Sequence, residues 1–126
     1  MDAVSTVTEA TLKSFLEAFN HHDLDEIMEF FVDDPVFESP RGTQPGGTRA
    51  QGSAAVRALL ATRFEGIPDI RYSEDRHLVC GDRGVSEWLI TGTARDGTQV
   101  RVRGCDLFEF SEGRIAKKDS YWKIVE

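Results

Sequence analysis

A chain of 126 residues, 40% of them hydrophobic and 29% charged, has room for one folded domain with a substantial core, and eight Phe and two Trp supply its large pieces. The net charge of −7, from 22 acids against 15 bases, works against partnership with nucleic acid or an anionic membrane; the modest basic cluster of Arg114, Lys117 and Lys118 reads as a solvated strand edge. Cys80 and Cys105 lack CxxC spacing, the start Met1-Asp2-Ala3-Val4 lacks a basic and apolar leader, and no apolar run is long enough to span a bilayer, so a cytoplasmic protein with reduced thiols is expected.

Thr6 and Glu9 have capping-box spacing, and Leu12, Phe15, Leu16 and Phe19 then recur at helical intervals, ending near Asn20-His21-His22. Asp23 and Glu26 restart the signal for a second helix with Leu24, Ile27, Met28 and Phe31 on one stripe, closed by Asp33-Asp34-Pro35. Val36 to Ser39 predicts a short strand. Pro40 to Gly52 is a Gly/Pro-rich loop placed to gate a pocket mouth, and Ser53 caps a third helix carrying Val56, Leu59, Leu60 and Phe64. Four strands follow, from about Ile70 to Val79, Val85 to Ala94, Gln99 to Phe110 and Arg114 to about Val125, separated by turns at Gly81 to Gly84, Asp96-Gly97 and Glu112-Gly113. The order ααβαββββ predicts an α+β domain, a curved and mostly antiparallel sheet packed on three N-terminal helices around an apolar pocket.

Alternation along the third long strand puts Val100, Val102, Gly104, Asp106, Phe108 and Phe110 on the core face. A carboxylate there is costly unless paired, hydrated or protonated. Asp106 therefore reads either as a pocket acid or base, or as a group that caps a backbone group, pairs with a lysine across the sheet or is turned outward by a bulge.

With this element order, the chain resembles the nuclear transport factor 2-like superfamily, in its SnoaL-like and ketosteroid-isomerase-like branch. The resemblance covers almost the whole chain. Its carriers are Phe19 to Asp25, Phe30 to Pro40, Gly81 to Val85, Asp106 to Phe110 and Asp119 to Trp122. It implies a cone-shaped sheet open to a small apolar organic ligand, homodimerisation through the outer sheet face, and chemistry without a cofactor. Asp106 matches the protonated acid of the ketosteroid isomerases, but Phe15 stands where their oxyanion-hole tyrosine would be and Ser39 where their base would be. Leu60 and Phe31 replace supporting tyrosines, and Ser120 replaces an aspartate of the limonene-epoxide-hydrolase type. A phenyl ring cannot donate a hydrogen bond and an unpartnered serine is a poor base, so neither of those mechanisms is complete.

The candidate catalytic residues are thus Asp106 and Ser39, and the candidate binding residues are Phe15, Phe37, Leu60, Trp88, Phe108, Lys118, Ser120 and Trp122. Lys118 shares a strand face with Ser120 and Trp122 and could pair with Asp106. Glu38, of opposite parity to Ser39, would replace the missing base only through a bulge, and a surface role is favoured. Adjacent His21 and His22 point about 100° apart on a helix, which suits helix termination better than a metal site. His77 reads as a surface histidine in preference to a second acid or base. Two classes follow, a cofactor-free isomerase, cyclase or hydratase using Asp106, and a non-catalytic module binding a ligand or protein in the same cone.

Overall fold

Thr8, two residues beyond the expected Thr6, starts the first helix in the computed structural model, which describes residues 6–126. Thr11 N donates to Thr8 Oγ1 at 3.2 Å and Thr8 N donates to Thr11 Oγ1 at 3.1 Å, so a threonine closes the capping box in place of a glutamate. The helix α1 (Glu9–Asn20) buries Leu12, Phe15, Leu16, Ala18 and Phe19. His22 then takes a left-handed φ of 56°, and its Nε2 is hydrogen-bonded to Ile70 O at 2.7 Å, which turns the chain into Asp23, the N-cap of α2 (Leu24–Met28).

The second helix is shorter than its apolar stripe suggests. Phe31, expected on α2, instead opens strand β1 (Phe31–Glu38), and Asp33-Asp34-Pro35 lies inside that strand where it was expected to close the helix. The reason is long-range: β1 pairs in parallel with the last strand, Phe31 opposite Ile115 and Phe37 opposite Lys118, and the register slips between Phe31 and Val36, where a proline without an N–H is tolerated. The loop from Pro40 to Gly52 contains a further short strand, β2 (Arg49–Gln51), antiparallel to β1. Gly52, at φ 91°, is the N-cap of α3 (Ser53–Gly66) and no side chain caps it; Ser53 is the first helical residue, not the cap.

Strands β3 (Arg71–Cys80), β4 (Arg83–Thr93), β5 (Gln99–Ser111) and β6 (Arg114–Trp122) complete one six-stranded sheet in the order β2-β1-β6-β5-β4-β3. Every neighbouring pair is antiparallel except β1 and β6. The three helices precede or interrupt the strands, and the shared core joins Leu12, Phe15 and Phe19 of α1 and Val56 and Leu60 of α3 to Trp88, Ile90, Phe108 and Ile115 of the sheet. Two further register slips shape the sheet. One lies between Ser73 and Arg76, where Glu74 has φ 51°, and the other between Glu109 and Phe110, opposite Ala116. Arg114, Lys117 and Lys118 do not form a solvated edge: β6 is an interior strand, and Lys118 is only 5% exposed.

Candidate functional site

Parity along β5 places Asp106 inward beside Phe108, and β6 lies against it with Ser120 directly opposite Asp106 and Lys118 opposite Phe108. Asp106, Lys118 and Ser120 are all nearly fully buried. The Lys118 ammonium lies 3.1 Å from Asp106 Oδ1 and donates to Ser120 Oγ at 2.8 Å; Ser120 Oγ donates to Asp106 Oδ1 at 2.5 Å. From β4, Trp88 Nε1 donates to Asp106 Oδ2 at 2.9 Å. Both carboxylate oxygens are therefore engaged, and among the described residues no buried side-chain polar atom lacks a partner. Burial holds the Lys118 ammonium below the usual lysine pKa; the facing Asp106 opposes that shift and the nearby Arg63 adds to it. The same ammonium lies 4.6 Å from the Phe37 ring centroid and 5.3 Å from that of Phe19.

A cavity of about 1040 Å³ opens at the end of the sheet where α3, the loop after β1, the β4–β5 turn and the segment after β6 converge. Phe37, Leu59, Ile67, Val102 and Trp122 give it apolar walls, and Ser39, Thr48 and Gln99 give it polar points. Of the residues singled out from sequence, Phe37, Ser39 and Trp122 line this cavity. Asp106, Lys118, Ser120 and Trp88 do not; they are buried, with Lys118 lying against the ring of Phe37 and Trp88 meeting Trp122 edge-on. Phe15, Leu60 and Phe108 lie in the core instead of on the cavity wall, Phe15 packing edge-on against Phe19, Phe30, Phe31 and Phe108. Ser39 Oγ accepts a long bond of 3.5 Å from Arg41 N and meets no carboxylate or imidazole, so nothing activates it as a base or nucleophile. Glu38 is tied to Arg49 and Lys117 at 3.2 and 3.3 Å and is not on the cavity wall.

Residues 12–118 of the chain match the model of the SnoaL-like domain. The chain belongs to the SnoaL-like domain family. Solved structures with the same architecture include an NTF2-like protein of unknown function from Burkholderia pseudomallei K96243, 22% identical with a TM-score of 0.80 over 90% of this chain and 88% of that one. A proposed polyketide cyclase from Pseudomonas putida KT2440 is 16% identical, TM-score 0.83, over 95% and 94%. TerC, co-crystallised with polyporic acid, is 18% identical, TM-score 0.76, over 89% and 88%. At these identities the likeness establishes the fold, the three-helix, curved-sheet NTF2-like α+β fold. A search of curated proteins gives no match.

This SnoaL-like domain also holds a second polar tie that the sequence left hidden. His77, expected at the surface, has a side chain only 8% exposed. Its Nε2 lies 2.7 Å from Asp75 Oδ2 and its Nδ1 2.7 Å from Ser86 Oγ, while Lys13 of α1 donates to Asp75 Oδ2 at 2.8 Å. Burial alone would raise the Asp75 pKa, but the bonds from Lys13 and His77 hold it below the usual carboxylate value. An ionised Asp75 can only accept, which places a proton on His77 Nε2. The arrangement has the residue types of a hydrolase triad, yet Ser86 is 2% exposed and none of the three lines the cavity, so it fastens α1 to β3 and β4. Among the described residues no group of His, Cys, Asp and Glu is arranged to hold a metal ion.

Proposed function

We propose that this SnoaL-like domain binds a small organic molecule in the cavity at the mouth of its sheet, with the Asp106–Lys118–Ser120 layer as the rigid floor. The observation that carries this reading is the cavity itself: about 1040 Å³, at the upper end of what small-molecule sites occupy, with aromatic and aliphatic walls and a few polar points. TerC, of the same fold, was co-crystallised with polyporic acid. An amide-resolved NMR titration with small aromatic compounds tests the reading. Shifts are expected at Phe37, Ile67, Val102 and Trp122, and compounds that perturb only the outer sheet face would count against it.

A second reading, a cofactor-free isomerase, cyclase or hydratase, is supported by a buried carboxylate and a depressed lysine lying one side chain behind that cavity. In it Asp106 exchanges a proton with the ligand, with Lys118 and Ser120 as its partners. Because both Asp106 oxygens are already engaged, the binding reading is the stronger. The variant Asp106→Asn separates the two: equal ligand affinity with turnover lost assigns the chemistry to Asp106, and turnover unchanged removes it.

The resemblance also carries homodimerisation, which we propose occurs through the convex sheet face. There Leu78, Val85 and Leu107 lie in one cross-strand row, with Leu78 67% and Leu107 41% exposed. Leu107→Lys is expected to shift the species in gel filtration from dimer to monomer, and a wild-type monomer at all concentrations would end the idea.

A further inference from the structure

We infer that the mouth cavity is built for an organic anion, a molecule with a flat apolar body and a carboxylate. The inference rests on the ligand-binding reading above and narrows its chemistry from an apolar ligand to a charged one. Four cations border the cavity, Arg41 from the loop after β1, Arg63 from α3 and, at its rim on the outward strand parity, Arg101 from β5 and Lys123 from the segment after β6, and no Asp or Glu lines it. In a chain where acids outnumber bases 22 to 15, such a lining is the reverse of the average surface. None of the four makes an ion pair among the described residues, a state they share with Arg71, Arg76, Arg83, Arg95 and Arg114 elsewhere, so what sets the cavity apart is a lining of cations without an acid.

Arg63 is the centre of the arrangement. Its guanidinium lies over the Trp122 ring at 4.3 Å from the centroid, and both residues face the cavity. A guanidinium stacked on a ring is held flat, and although Arg63 also reaches the Tyr72 hydroxyl, its planar fork has further N–H groups to offer a carboxylate. Phe37, Leu59, Ile67 and Val102 around it exclude water and strengthen that attraction. The buried Lys118 adds nothing, because Asp106 already balances it. The ligand body would rest on Phe37 and Trp122 with its acid group towards Arg63, and Arg41, Arg101 and Lys123 would draw it in from the rim.

Isothermal titration with matched acid and amide pairs, benzoate with benzamide, naphthoate with naphthamide and anthroate with anthramide, tests this at neutral pH and low salt. The acid of the best-binding pair is expected to bind about tenfold or more tightly than its amide, the gain of a charge-assisted pair of bonds, and added salt should erode the preference. Arg63→Gln should bring the ratio close to one. Arg101→Gln, at an exposed position whose loss leaves the core untouched, should lower it by about threefold. Equal affinity for acid and amide would overturn the anion inference and leave the ligand-binding reading intact. If no member of any pair bound to the folded protein, the reading of the cavity as a ligand site would fall, and the inference with it.

Discussion

Lys118 shows how far a single residue's meaning depends on its neighbours. From sequence it belonged both to a basic cluster and to an inward strand face, and only the cross-strand register decides between them, by bringing it to Asp106 and Ser120. Removing one partner of a buried pair leaves the other charge without compensation. Lys118→Met should therefore cost about 3–5 kcal/mol, read from urea unfolding, while Lys118→Met combined with Asp106→Leu should recover most of the loss. A single variant as stable as the parent would mean that the pair is hydrated in solution. That Asp106 faces inward was legible from alternation alone. That its oxygens are occupied was not, since the Trp88 indole and the Ser120 hydroxyl come from two other strands.

Strand irregularities explain most of what sequence patterning missed at the level of elements. Tyr72 points inward on β3, and the slip at Glu74 shifts the parity by one, so Asp75 and His77 also point inward. A period-two reading therefore blurs there, and it sends His77 to the wrong side. Asp33 to Pro35 misled in the same way: a local helix stop became a bulge within β1 because pairing with β6 outweighed local preference. The α1 stripe and the four long strands were legible, since their periods persist over many residues. Gly104 packs against the ring of Trp88. A methyl group there would come within 2.6 Å of the Trp88 ring and would also press on the Tyr121 carbonyl. Gly104→Ala should cost about 1–3 kcal/mol by thermal or urea unfolding, and should loosen the Trp88–Asp106 bond. No loss of stability would mean that the Trp88 ring has another place to go.

Across the whole molecule, charge is unevenly shared. The net charge is −7, yet the rim of the cavity carries Arg41, Arg63, Arg101 and Lys123. Those four positions stand some twenty to forty residues apart, so no window of sequence could reveal them as a group; only the meeting of four segments at one end of the sheet does. By the anion proposal, their field opposes that of the rest of the surface and draws anions to that end. The two tryptophans divide the same end by depth. Trp88 is sealed in the core with its indole N–H held by a carboxylate, whereas Trp122 is half-buried on the cavity wall beneath a guanidinium. The protein thus contains two emitters in different surroundings. Their rings lie only 6.4 Å apart and so share excitation energy, but with Trp88 replaced by Phe, acrylamide quenching and the change caused by an arriving guest should report the outer ring alone.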